Sequence, residues 1–158
     1  MSEQKQIELK NVLKKMIRSY AAEHGEMIFK VVKVKDQYLF SAANTKLLQA
    51  INLNEKDVVG SSIYNGRLPA EDMKYAYDIA FNGQEIFYYF FPPLASDIFL
   101  VVYCEPIFLN GSVVEIKGHC ASLKNESDGI IGELLHYYKP FKLINPLPKE
   151  DKGEIKDN

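Results

Sequence analysis

The chain holds only two cysteines, Cys104 and Cys120, and three histidines among its 158 residues. The two thiols have none of the spacings that mark a disulfide framework, a zinc site or covalent haem attachment, so they read as small buried hydrophobes. No stretch approaches the roughly 20 apolar residues of a membrane span. The opening residues, MSEQKQIELK, are polar and charged where a secretory signal needs an apolar run. An excess of one charge sign is missing too. The 19 Lys plus Arg stand against 21 Asp plus Glu, for a net charge of -2, which gives no electrostatic footprint for nucleic acid. These absences lead one to expect a cytoplasmic protein with no nucleic-acid and no membrane partner, and the length suits a single domain with its own core.

What is present is a clear succession of periodic segments. Leu9, Val12, Leu13, Met16, Ile17 and Tyr20 follow helical spacing, which predicts an amphipathic helix from about Glu3 to Glu23, ended at His24-Gly25. Met27 to Val34 and the run YLFSA suggest two strands around a turn at Lys35 to Gln37. Asn44 is placed to cap a short helix with Leu47, Leu48 and Ile51 on one face, and Asn54 to cap a further short turn closed by Gly60. Pro69 suits the first helical position of a longer helix, with Met73, Ala76, Tyr77, Ala80 and Phe81 as its apolar face and Asn82-Gly83 as its end. EIFYYFF, DIFLVVYCEPIF and SVVEIKGHCASL then give three consecutive strands, for about five in all. Ile130, Ile131, Leu134, Leu135 and Tyr138 predict a short helix stopped before Pro140. The polar residues from Pro146 onward carry too little apolar surface to offset their ordering entropy.

This order of segments resembles a PAS domain, and several residues carry the likeness over about Met27 to Leu123. Asn44 stands where the family begins its first short helix, and Gly60 lies in the segment DVVGSSIYN. Gly83 falls between the long helix and the third strand, and PIFLNGSVVEIKGHCASLK, with Gly118, resembles the closing hairpin. Ser122-Leu123-Lys124 departs from the family's Asp-Ile-Thr, which leads into an output domain. The resemblance implies an α+β fold: a PAS-like five-stranded antiparallel sheet with short helices on one face and the N-terminal helix on the other. It also bears on cofactors. Flavin-binding members use a Cys in the long-helix region and haem-binding members a His there, and Pro69 to Asn82 contains neither. The cofactor stays unknown, with flavin and haem both disfavoured.

The closing hairpin can pair in two ways. A two-residue Asn110-Gly111 turn sets Cys104 against Lys117 and Val102 against His119, mixing polar and apolar groups on both faces. A three-residue loop at Leu109-Asn110-Gly111 shifts the pairing by one residue and so flips the second strand. That register yields one apolar wall of Leu100, Val102, Cys104, Val114, Ile116, Gly118 and Cys120, at the expense of Glu105 opposite Glu115. We expect the second register, since burying the wall is the larger effect, roughly 1.5 to 3 kcal/mol per large side chain. His119 and Cys120, as neighbours on a strand, then face opposite sides and cannot bind one ion together. His24 and His136 are isolated.

The domain organisation expected is an N-terminal amphipathic helix over 1–25, a PAS-like domain over 26–124, a C-terminal short helix over 125–139 and a disordered tail over 140–158. The resemblance implies a stand-alone sensory or regulatory module in signal transduction that binds a small apolar or aromatic ligand, a protein partner in trans, or both. A ligand-free dimerisation or interaction module is the alternative. An enzyme of thioesterase or isomerase type ranks below both, because the inward face offers no acid or base beside its two thiols. The expected ligand pocket is formed by Met73, Tyr77, Phe81, Leu100, Val102, Cys104, Val114, Ile116 and Cys120. No catalytic and no metal residues are assigned. The outward Phe99, Val101 and Tyr103 need a cover, which the N-terminal helix can give while Lys10, Lys14, Lys15 and Arg18 face water. A homodimer is expected with Leu13, Ile17, Val101 and Tyr103 at or near its interface.

Overall fold

A computed structural model of the protein describes residues 3–64, 68–95, 98–124 and 141–146. Helix α1 (Glu3–His24) leads into the hairpin β1 (Ile28–Val34) and β2 (Gln37–Ala43), followed by α2 (Thr45–Ile51), α3 (Glu55–Val58) and α4 (Ala70–Phe81). Strands β3 (Ile86–Phe90), β4 (Ile98–Leu109), β5 (Ser112–Lys124) and β6 (Phe141–Asn145) complete one antiparallel sheet in the order β2-β1-β5-β4-β3-β6. No helix among the described residues is long and apolar enough to cross a membrane.

The sheet has six strands where five were expected. The sixth, β6, falls inside the stretch 140–158 expected as a disordered tail, just ahead of the polar residues from Pro146 onward. Its alternation decides the matter: Phe141 and Leu143 are buried, and the Phe141 ring stacks on Tyr88 with centroids 4.8 Å apart. Two apolar residues spaced by two are enough to seat a short strand on the open edge of β3. The helix expected over 125–139 and residues 147–158 lie outside the described residues.

The pairing of β4 with β5 corrects the expected register. Leu109 pairs with Ser112, so the turn has two residues, and Asn110 and Gly111 both adopt positive φ, 54° and 84°, as a type I′ turn requires. The one-residue offset comes instead from a bulge, because Ile107 pairs with Glu115 and Phe108 with Val113, leaving Val114 unpaired. The faces come out as expected: Cys104 lies opposite Gly118 and Val102 opposite Cys120, while Glu105 meets Lys117 rather than Glu115. Opposite charges therefore face each other. Val114, as the extra residue, turns out to solvent and leaves the inner wall, where Val113 packs in its place.

Each face of the sheet has its own core. On the inner face Leu100, Val102, Cys104, Ile116 and Cys120 pack with Met73, Ala76, Tyr77 and Ala80 of α4 and with Leu47, Leu48 and Ile51 of α2. On the outer face Leu13 and Ile17 of α1 cover Phe87, Tyr89, Phe99, Val101 and Ala121. Strand β3 is buried along its whole length, which is why IFYYF reads as a continuous apolar run and not an alternating one.

Local signals explain the joints. The Asn44 side chain caps α2 by accepting from the Leu47 N–H at 3.1 Å, accepts from the Ile28 N–H at 3.2 Å and donates to the Glu26 carbonyl at 2.7 Å. One side chain thus ties the entry to β1 to the start of α2. Pro69 stands one residue earlier than expected, at the N-cap of α4, where its carbonyl receives the Met73 N–H at 3.0 Å.

Gly118 has a packing reason to be glycine. A Cβ there would come within 2.1 Å of the Phe29 ring, on the residue paired across from it. Phe29 is itself buried, so the ring has little room to retreat. Gly118→Ala is expected to lower stability by about 1 to 3 kcal/mol, the usual cost of overpacking, as read by urea denaturation. Phe29→Leu in the same background should restore part of the loss, and an unchanged midpoint in Gly118→Ala would contradict the packing seen here.

Candidate functional site

Two cavities lie on opposite sides of the sheet. The inner one, about 40 Å³, lies between the sheet and the helices α2, α3 and α4. Of the residues expected to line it, Met73, Tyr77, Leu100 and Cys120 do so. Val102, Cys104 and Ile116 belong to the packed inner core without bordering the cavity, Phe81 is packed against that core, and Val114 is exposed. The remaining wall comes from Phe29 of β1, Phe40 and Ala43 of β2, Leu47 and Ile51 of α2, Leu53, Val58 of α3, Leu68, and Tyr88 and Phe90 of β3. These were legible as apolar strand and helix faces. Their convergence depends on the closure of the sheet, which no local signal carries.

The lining of this cavity is apolar apart from two hydroxyls and one thiol. Tyr77 and Tyr88 are fully buried, and their hydroxyls hydrogen-bond each other at 2.8 Å, so each polar group is satisfied without water. Burial pushes both hydroxyls well above the ordinary tyrosine value. The same cause raises the thiols of Cys104 and Cys120, which remain free and protonated. A thiol held this way is a poor nucleophile. Among the described residues no charged side chain is buried.

The outer cavity, about 250 Å³, lies beneath the second half of α1. It is bounded by Lys14, Ile17, Arg18 and Ala21 of α1, by Glu26, Met27 and Ile28, and by Tyr103, Glu105, His119 and Cys120 of β4 and β5. Cys120 thus borders both cavities. His119 points outward, with its Nε2 3.2 Å from Glu105 Oε1, and its ring stacks on Tyr103 at 5.4 Å. Phe87 stacks on the other side of Tyr103 at 4.9 Å, which makes a row of rings across three strands.

Next to this row a polar cluster fixes α1. Lys10 and Lys14 reach the Glu85 carboxylate at 2.7 and 3.1 Å, and the Tyr103 hydroxyl donates to the same group. Two of the four basic residues expected to face water are therefore half-buried anchors, while Lys15 and Arg18 are exposed. The residues expected at or near a dimer interface pack between α1 and the sheet of their own chain. Leu13, Ile17 and Val101 are buried within their own chain and Tyr103 is half-buried. An Ile17→Glu substitution would consequently report on the fold of the monomer.

No protein-family model and no curated protein matches the chain. Among solved structures, it is similar to a sensory box sensor histidine kinase from Vibrio cholerae, at 12% identity and a TM-score of 0.51, over 77% of this chain and 99% of that one. It is also similar to the PAS domain of an HTR-like protein from Haloarcula marismortui, at 14% identity and a TM-score of 0.45, over 77% and 100% of the two chains. The RsLOV d2 variant aligns at 13% identity and a TM-score of 0.49, over 80% of this chain and 70% of that one. The fold of the chain is that of a PAS domain, as the order of its segments led one to expect.

The cluster at Glu85 makes docking of α1 dependent on pH. Burial alone would raise the Glu85 carboxyl, but hydrogen bonds from Lys10, Tyr103 and Lys14 outweigh it and hold the group at about 2, against an ordinary 4.5. A carboxyl depressed on folding contributes stability that is complete above its unfolded value and lost as pH falls through the folded one. Wild type is expected to exceed Glu85→Gln in urea midpoint near neutral pH. The gap should close between about pH 4.5 and 2. A gap that persists unchanged at the low end would show that the carboxylate charge is not what anchors the helix.

Proposed function

We propose that the protein is a sensory or regulatory module of signal transduction, in which the inner cavity receives a small apolar ligand. The observation that carries this reading is a largely apolar cavity framed by the sheet and α2 to α4, with the paired Tyr77 and Tyr88 hydroxyls as its main polar feature. The PAS fold and the similarity to a sensor kinase structure support it. At about 40 Å³ the cavity is smaller than the roughly 150 Å³ that admits benzene. In this conformation it suits a molecule of a few atoms, and an aromatic ring requires α2 to α4 to move outward. The reading assigns no catalysis, since the two thiols are buried and burial raises them well above the ordinary cysteine value.

The small volume also favours a second reading, a ligand-free module that acts through protein contacts, including a second copy of this chain or a partner in trans. Xenon distinguishes the two readings. In methyl NMR, xenon pressure is expected to shift Leu47, Ile51 and Leu100 saturably, and Ala43→Leu, which fills the cavity, should remove the response. Benzene should act on the same methyls only at higher concentration. No response to either probe in wild type would favour the ligand-free module.

A further inference from the structure

The cavity beneath α1 differs from the inner one in both size and chemistry. Its volume of about 250 Å³ exceeds the roughly 150 Å³ that suffices for benzene. Its base is apolar, from Ile17, Ala21, Met27 and Ile28, while Lys14, Arg18, Glu26, Glu105 and His119 supply charged or polar groups.

The pairing of those charges is uneven. Lys14 is committed to Glu85 at 3.1 Å, and His119 meets Glu105 at 3.2 Å. Arg18 and Glu26, by contrast, form no ion pair among the described residues, although both border the cavity. One guanidinium and one carboxylate with no ion-pair partner among the described residues therefore border a single hollow with an apolar base. A plain anion would be repelled by Glu26 and Glu105, and a plain amine by Arg18 and Lys14. A molecule carrying both charges on an apolar body matches all three features.

We propose that this cavity is a binding site for a small apolar zwitterion of the α-amino-acid type. Arg18 receives the carboxylate through its two-pronged N–H geometry. Glu26, with Glu105 nearby, takes the ammonium group, and the apolar side chain rests on Ile17, Ala21 and Met27. Because α1 is one wall of the cavity, a bound molecule bridges the helix to the sheet and stabilises their contact by mass action. The site lies on the opposite side of the sheet from the inner cavity, so it stands or falls separately from the function proposed above.

Leucine is the probe, with isocaproate lacking its amine and isoamylamine lacking its carboxylate as controls. In titrations followed by amide NMR, leucine is expected to shift Ala21, Ile28 and His119 saturably, and each control should bind about tenfold or more weakly. Arg18→Ala and Glu26→Gln alter exposed side chains and should leave the fold intact, yet each should weaken leucine by about tenfold. Ala43→Leu, on the inner side, should leave leucine binding unchanged. The proposal is overturned if leucine gives no saturable shift, if the three probes bind alike, or if binding survives both charge substitutions. Loss of leucine binding in Ala43→Leu would overturn it as well, by moving the ligand to the inner cavity.

Discussion

The offset of one residue between β4 and β5 sorts the whole molecule. Without the bulge at Val114, the two-residue turn would put Lys117 beside Cys104 and His119 beside Val102, and neither face of the sheet could be packed dry. With it, every inward position of the two longest strands is apolar or glycine from Leu100 to Cys104 and from Ile116 to Cys120. Several large side chains are thereby buried, each contributing roughly 1.5 to 3 kcal/mol. One solvent-facing valine is a small cost beside that. The inner cavity, the ring row on the outer face and the seat of α1 all follow from this choice of faces.

A sheet buried on both sides needs two covers, and the chain builds them by different means. The inner cover is made of α2, α3 and α4, held by apolar packing and by the Asn44 cap that fixes α2 to the start of β1. The outer cover is one helix, with Leu13 and Ile17 at its centre and a polar anchor at Glu85 toward its beginning. Near its end that anchoring gives way to the cavity bounded by Arg18 and Ala21. The helix is thus fastened by charge at one part and stands over open volume at another.

Much of this was legible in the residues themselves. The stripe of α1, the Asn44 cap and the assignment of His119 and Cys120 to opposite faces all rest on local periodicity and capping chemistry, and local rules suffice there. The bulge escaped because a three-residue loop and a two-residue turn plus bulge yield the same alternation of faces over most of the hairpin. Strand β6 was masked by the polar residues that follow it, although Phe141 and Leu143 carry a strand spacing. Phe29, Phe40 and Leu47 were recognisable as buried but not as walls of one cavity, since they meet only when the sheet brings β1 and β2 to the edge of α2. Leu13 and Ile17 were legible as the covered stripe of the helix, but an apolar stripe tells that a helix is covered without telling how much of the cover its own chain supplies.

Cys120 is the point where the two sides of the sheet meet. It borders the inner and the outer cavity alike, with its side chain in the inner core and its backbone in β5. Between the two sides stands strand backbone tied to its neighbour, for the Cys120 N–H donates to the Met27 carbonyl at 2.9 Å. The sheet in that sense works as a partition held by its ladder of backbone bonds, so that the hollow on either side can fill or empty on its own.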